Sequence, residues 1–78
     1  MEKLIIGGLY RHFKGDLCKV LGVVQNSESL EELVRYIDLK NGSEWVRPKL
    51  MFLGKIKTEK GIIERRFTLI KKKTLVVP

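Results

Sequence analysis

The sequence predicts an all-β protein, a small SH3-like, partly open barrel of five or six short antiparallel strands. With 78 residues the chain forms one domain, in which folding buries only about 60–65% of the surface that the unfolded chain exposes. Short runs of β-branched and aromatic residues alternate with turn residues. A two-sheet sandwich would need about 100 residues. An OB-type barrel is the alternative, but it would normally have longer strands and a proper helix.

The first hairpin is predicted between residues 9 and 25. Residues 9–13 form a β-like run, residues 14–16 a three-residue turn, and residues 17–25 a second run rich in Val and Leu. Gly22 interrupts the second run. A glycine within a strand predicts a bulge or a sharp bend there.

A second hairpin is predicted after a polar segment. Ser29 and Glu32 have the spacing of a reciprocal helix cap, so at most one helical turn is expected there. Residues 34–39 and 44–47 read as strands around the Asn-Gly turn of residues 40–43. Pro48 cannot donate to a ladder and should end the second of these strands.

The remaining chain should turn at residues 49–52, burying an apolar side chain or two, and then form a third hairpin. Residues 55–58 and 62–70 would pair around residues 59–61. In the longer run Ile63, Phe67 and Leu69 share one face, the period-2 pattern of a half-buried strand, and Arg65 is the exception on that face.

Residues 1–70 are therefore predicted as the single domain and residues 71–78 as a basic tail, in which residues 75–77 are a possible edge strand. The net charge is +7, and from residue 46 onward ten Lys and Arg stand against two Asp and Glu. This excess would attract an anionic partner such as nucleic acid. The alternative is that these basic residues only form a solvated face and a frayed tail. The acidic middle of the chain also argues against one continuous phosphate-binding surface.

No apolar run is long enough to span a membrane or to serve as a signal peptide, so the cytoplasm is the expected compartment. Cys18 is the single cysteine, which excludes an intramolecular disulfide and a multi-cysteine metal site. We expect no cofactor and no bound metal.

Two motifs carry a family resemblance: Gly-Leu-Tyr-Arg-His-Phe-Lys-Gly at residues 8–15 and Trp-Val-Arg-Pro at residues 45–48, followed by Met51 and Phe52. From about residue 8 to about residue 67 the chain resembles the small, mostly bacterial domain-of-unknown-function family 1653. The resemblance implies a compact β barrel and brings no established activity, substrate or cofactor.

The same motifs suggest a recognition surface in which aromatic rings stack and arginine forks bind carboxylate or phosphate. The predicted ligand-binding residues are Tyr10, Arg11, His12, Glu28, Tyr36, Trp45 and Arg47. Glu28 would orient an arginine or cap the acidic turn, and Arg65 and Arg66 would add electrostatic attraction.

Several of these residues also have a purely structural interpretation, and His12 would most simply be a hydrogen-bonded strand residue. Trp45 and Phe13 are expected in the core, as are Phe52, Met51 and Phe67, because aromatic residues dominate small cores. Arg11 and Arg47 would then only pair with Glu28 or Glu44.

Catalysis finds less support in the sequence. The predicted first turn would place His12 and Cys18 opposite each other, but such a pair would still need an oxyanion-stabilising site and a cleft. The favoured function is therefore a non-catalytic binding module for an anionic partner, either RNA or an acidic protein segment. The alternatives are a small enzyme, or a subunit sharing an active site, that uses His12 and Glu28, and a structural domain that pairs through a strand edge.

Overall fold

The computed structural model describes residues 3–73. It contains seven strands and one turn of helix: β1 (Leu9–His12), β2 (Leu17–Gln25), β3 (Glu32–Asp38), β4 (Glu44–Pro48), α1 (Lys49–Phe52), β5 (Lys55–Lys57), β6 (Ile63–Arg65) and β7 (Phe67–Lys71).

Five of these strands form one antiparallel sheet in the order β4-β3-β2-β1-β7, and β5 and β6 form a separate two-stranded sheet. Within the described residues the five-stranded sheet does not close on itself, because β4 and β7 are its two edges. The architecture is the all-β, partly open barrel that the sequence predicts.

The three-residue β1–β2 turn lies one residue earlier in the chain than expected, at residues 13–15. The backbone N–H of His12 donates to the Asp16 carbonyl at 2.7 Å, and Gly15 has a φ of 108°. This matches a three-residue loop that ends on a residue of positive φ. Tyr10 is consequently the partner of Cys18. The prediction that His12 lies directly opposite Cys18 is wrong.

The predicted irregularity in β2 is confirmed. The register between β2 and β3 shifts between Val20 and Gly22, which identifies a β-bulge. Because a bulge bends its strand and increases the local twist, it curls the hairpin toward the barrel axis.

The polar segment between β2 and β3 forms a turn without a helix. The Asn26 side-chain oxygen accepts the backbone N–H groups of Glu28 and Ser29, at 2.9 and 3.2 Å. Ser29 Oγ accepts the N–H of Glu31 at 3.2 Å, so the predicted Ser29–Glu32 cap does not form. Asparagine often organises turns in this way.

The predicted strand over residues 62–70 is divided into two. At Arg66 the backbone N–H donates to the Gly54 carbonyl at 3.0 Å, and the carbonyl accepts from Phe13 N–H at 2.9 Å. As a result β6 pairs with β5, whereas β7 pairs with β1. Ile63 and Arg65 then share a solvent-exposed face. Lys71 belongs to β7, and residues 75–77 lie outside the described residues.

The core lies on the concave face of the five-stranded sheet and is mostly aromatic. Phe52 of α1 stacks on Phe67 with ring centroids 4.0 Å apart, and it contacts the rings of Tyr10 and Tyr36. The buried cluster comprises Tyr10, Cys18, Val20, Val34, Tyr36, Phe52 and Phe67.

Phe52 and Phe67 are core residues as expected, but other assignments change. Trp45 and Met51 are exposed, at 56% and 43%, so their prediction as core residues is wrong. Phe13 is only half-buried. The helical turn α1 directs Phe52 inward and leaves its neighbour Met51 outside.

Candidate binding pocket

The concave face of the sheet extends past the core and forms an open pocket of about 260 Å³. It lies where β2 begins and β3 ends, since Cys18 is the cross-strand partner of Asp38. Its apolar and aromatic lining comes from Leu17, Cys18, Tyr36, Trp45 and Phe67. Its polar lining comes from His12, Asp16, Asp38 and Arg47.

Trp45 forms one wall of this pocket. It is the cross-strand partner of Tyr36, whose ring belongs to the core. The indole N–H donates to Ser43 Oγ at 2.8 Å, which fixes the ring, and more than half of the side chain stays exposed. The pocket therefore presents a positioned aromatic face to solvent.

Arg47 lies two residues further along β4, on the same face of the strand as Trp45. Its guanidinium carbon lies 5.9 Å from the Phe67 ring centroid, and its buried Nε has no hydrogen-bond partner. The expected partner, Glu44, instead accepts from Arg35 Nε at 3.0 Å. Among the described residues, then, no carboxylate forms an ion pair with Arg47.

His12 packs edge-on against Phe67, with ring centroids 5.0 Å apart. Its Nδ1 accepts the backbone N–H of Lys14 at 3.2 Å, which leaves the proton of the neutral ring on Nε2. Burial lowers the pKa of His12 below 6.5, and the positive charges of Arg47, Arg66 and Lys14 lower it further, against an opposing effect of Asp16. His12 is thus mainly a neutral donor at pH 7.

Two carboxylates share the pocket with Arg47. Asp38 Oδ1 accepts the backbone N–H of Lys40 at 2.8 Å, which orients the side chain at the end of β3. Asp16 follows the β1–β2 turn and lies close enough to His12 to affect its pKa. The pocket therefore combines cationic and anionic groups.

Cys18 is a packing residue. Burial, with a contribution from the Asp38 charge, raises the pKa of its thiol to about 12. A thiol that stays protonated at neutral pH is a poor nucleophile and a poor metal ligand. Within residues 3–73 no cluster of three His, Cys, Asp or Glu side chains is arranged to hold a metal ion.

The structure brings four of the predicted ligand-binding residues together at this pocket: His12, Tyr36, Trp45 and Arg47. Tyr10 is fully buried instead, and its hydroxyl accepts the backbone N–H of Ile5 at 3.1 Å. Its ring is therefore enclosed by protein and has no free face for a ligand.

Arg11 and Glu28 lie away from the pocket. Arg11 is exposed on the opposite face of β1 from Tyr10. Glu28 lies in the β2–β3 turn, at the far end of that hairpin from the Cys18–Asp38 pair. Arg65 is exposed on β6. Arg66 is half-buried, and its Nε, like that of Arg47, is buried without a partner.

Asp16 and Asp38 are polar lining residues that were not predicted from the sequence. Each occupies the end of a predicted strand or turn, where a carboxylate commonly has a local structural role. The inward face of β3 could have identified Asp38, because Val34, Tyr36 and Asp38 alternate along it.

Together the fold and the site define a small, partly open β barrel with a mixed aromatic and charged pocket on its concave face. Residues 8–69 match the family model described as "Protein of unknown function (DUF1653)". The chain belongs to this DUF1653 family.

A solved relative agrees with this assignment. The crystal structure of a DUF1653 protein from Bordetella bronchiseptica is 28% identical in sequence, with a TM-score of 0.73, and the match covers 92% of this chain and 91% of that chain. No curated protein matches the sequence. The single helical turn in the described part of the chain is too short to cross a membrane.

Proposed function

We propose that this protein is a non-catalytic binding module for single-stranded RNA in the bacterial cytoplasm. The observation that carries the proposal is the pairing, in one pocket, of an exposed and fixed indole face with an arginine whose buried Nε has no hydrogen-bond partner among residues 3–73. Bases stack on aromatic rings, and an arginine fork binds the adjacent phosphate.

The carboxylates in the pocket favour RNA over an acidic protein segment. A carboxylate side chain entering the pocket would meet Asp16 and Asp38 at close range, and like charges repel strongly in a partly desolvated site. A nucleobase is neutral and can donate an N–H to a carboxylate oxygen. Its phosphate would be attracted by the positive charge of Arg47, which lines the same pocket.

The overall charge supports the same class of partner. The net charge is +7, and Arg65 on β6 and the half-buried Arg66 contribute to the basic C-terminal third. Long-range attraction of this kind raises the rate at which a polyanion meets its site. Arg65 and Arg66 thus have an electrostatic role, separate from contacts inside the pocket.

An enzyme built on His12 and Glu28 has less support. The two residues lie at different ends of the β2–β3 hairpin region, with Glu28 in the turn beyond Gln25 and His12 beside Asp16. A general acid–base pair must reach the same reacting atoms. Within one chain this separation gives the two side chains no shared substrate position.

The single tryptophan provides a direct test. Stacking of a base on Trp45 should quench its fluorescence, so titration with single-stranded RNA of about six nucleotides reports binding at the pocket itself. The affinity should fall as salt rises from about 50 to about 200 mM, because bound phosphates release counterions. An acidic peptide serves as the competing ligand.

Two charge-matched variants test whether RNA binds at the pocket. Arg47→Gln and Arg11→Gln remove the same charge, but only Arg47 lines the pocket. Arg47→Gln should weaken RNA binding about tenfold or more, and Arg11→Gln much less. Absence of quenching by RNA, a salt-insensitive affinity, or quenching by the acidic peptide alone would refute the proposal.

A further inference from the structure

We infer that the pocket is selective for guanine among the RNA bases, with Asp38 as the specificity-determining residue. This inference rests on the RNA-binding function proposed above and adds the base to it. It is carried by the placement of an oriented carboxylate beside the exposed indole, on one continuous face of two paired strands.

The position of Asp38 relative to Trp45 follows from the register. Trp45 is the cross-strand partner of Tyr36, and Asp38 is two residues beyond Tyr36 on the same face of β3. Asp38 is therefore the diagonal cross-strand neighbour of Trp45, and such positions lie about 7–8 Å apart, a distance comparable with the width of one nucleobase. A base stacked on Trp45 would therefore direct one edge toward Asp38.

An oriented carboxylate favours an edge with two adjacent donors. Asp38 Oδ1 is held by the N–H of Lys40 at 2.8 Å, and an ionised carboxylate retains further lone pairs on both oxygens. Guanine presents N1–H and the 2-amino group side by side, which matches a carboxylate with two parallel hydrogen bonds.

The other bases fit a carboxylate less well on their Watson–Crick edges. Adenine and cytosine place an acceptor nitrogen next to their amino group, and uracil places carbonyl oxygens on both sides of its N–H. Each would bring an acceptor against an oxygen of Asp38. Selectivity thus arises from the cost of unpaired acceptors as well as from the pairing itself.

The remaining polar groups complement guanine. Its O6 carbonyl needs an N–H donor, and neutral His12 in the pocket has one on Nε2, which leaves Arg47 for the phosphate. Aromatic rings and carboxylates also suit a quaternary ammonium ligand. Here such a cation would be repelled by the guanidinium of Arg47, which lies over Phe67. Arg47 therefore argues for a neutral base with acceptor and donor groups.

The test uses uridine-rich RNA of about six nucleotides with a single central guanine, inosine, adenine, cytosine or uridine, titrated against the fluorescence of Trp45. Guanine should bind about tenfold more tightly than adenine. Inosine, which lacks only the 2-amino group, should fall between them. Equal affinity for all five oligonucleotides would overturn the inference and leave the proposed RNA binding intact, whereas no binding at all would overturn both.

Two matched variants test whether Asp38 determines the preference for guanine. Asp38→Asn keeps an acceptor for Lys40 N–H, which preserves the local turn, but replaces one carboxylate oxygen by a donor. It should abolish the preference for guanine. Asp16→Asn, which makes the same charge change in the same pocket, should retain the preference. Loss of the preference in Asp16→Asn, or its persistence in Asp38→Asn, would overturn the role of Asp38.

Discussion

His12 is partly desolvated and surrounded mainly by positive charge. Burial lowers its pKa below 6.5, Arg47, Arg66 and Lys14 act in the same direction, and Asp16 opposes them. The unfolded chain therefore binds a proton at this site more readily than the folded chain does. By linkage, the folded protein loses stability as the pH falls below about 6.5, and the loss is complete below the pKa of the folded state.

This pH dependence can be measured by urea unfolding at pH values from about 7.5 to about 5. The wild-type free energy of unfolding should decline below about pH 6.5, and His12→Gln, which cannot titrate, should lack that decline. Parallel profiles for the two proteins would contradict the prediction.

Cys18 provides a second prediction at the residue scale. Its burial raises the thiol pKa to about 12, and only 4% of the residue is exposed. In native protein at about pH 8 we therefore expect very slow reaction with a thiol reagent, since the thiolate is the reactive form. In denaturant the same thiol should react at the rate of an ordinary free cysteine, and fast labelling of the native protein would argue against this environment.

The composition of the pocket was only partly accessible from the sequence. His12 and Trp45 stand out because they are the single His and the single Trp of the chain, and Arg47 because it lies two residues from Trp45 in the same motif. Tyr10 belongs to the same motif as His12, but its side chain points to the buried face of β1 and lies in the core. Asp16 was missed because the β1–β2 turn lies one residue earlier than predicted, which pairs Cys18 with Tyr10 in place of His12. Asp38 was missed although it continues the inward face of β3.

At the scale of elements, the β1–β2 turn and the β2 bulge each contain a glycine, but only one of these requires it. Gly15 has a φ of 108°, which side-chain-bearing residues adopt at a cost. Gly22 has an ordinary φ, and an added Cβ would meet nothing within 4 Å. Gly15→Ala should therefore destabilise the protein by about 1–2 kcal/mol. Gly22→Ala should be neutral or stabilise it by up to about 1 kcal/mol through the unfolded state.

Urea unfolding measures the free energy of unfolding of both variants. A loss confined to Gly15→Ala would show that the positive φ requires glycine, and that alanine is not simply disfavoured in this hairpin. A loss of stability at Gly22 as large as that at Gly15 would show that the bulge also depends on glycine.

The hairpins are the elements that the sequence predicts best, because turn chemistry and period-2 patterns are local signals. The bounds of β2 are as expected, and β1, β3 and β4 differ by one or two residues at their ends. The division at Arg66 was missed. It depends on hydrogen bonds to Gly54 and Phe13, which are distant in sequence and leave no trace in the pattern of the run itself.

For the whole molecule, the fold class follows from chain length and strand spacing, whereas the pocket depends on what the core leaves uncovered. The expectation that Trp45 is buried assumed that a small core needs every large residue. Instead Phe52 of α1 fills the centre with Phe67 and the two tyrosines. The helical turn covers this part of the concave face and leaves the Trp45 end open to solvent.

The aromatic centre should therefore dominate global stability, and adjacent residues of α1 test this. Phe52 is fully buried, whereas Met51 is 43% exposed. Phe52→Ala should cost about 3–5 kcal/mol, a large part of the roughly 5–15 kcal/mol that stabilises a typical domain, and Met51→Ala about 0.5 kcal/mol or less. Thermal unfolding should show a fall in Tm of about 4–8 °C for each kcal/mol lost.

If Phe52→Ala does not fold, Phe52→Leu retains much of the side-chain volume and should give a measurable intermediate Tm. Phe52→Leu would lose stability because it removes the ring that stacks on Phe67, with centroids 4.0 Å apart, and contacts Tyr10 edge-on, with centroids 5.2 Å apart. Equal Tm values for Met51→Ala and Phe52→Leu would mean that packing around α1 does not limit stability. The covering of the concave face by this helical turn would then have to be secured by the backbone hydrogen bonds at Leu53 and Gly54.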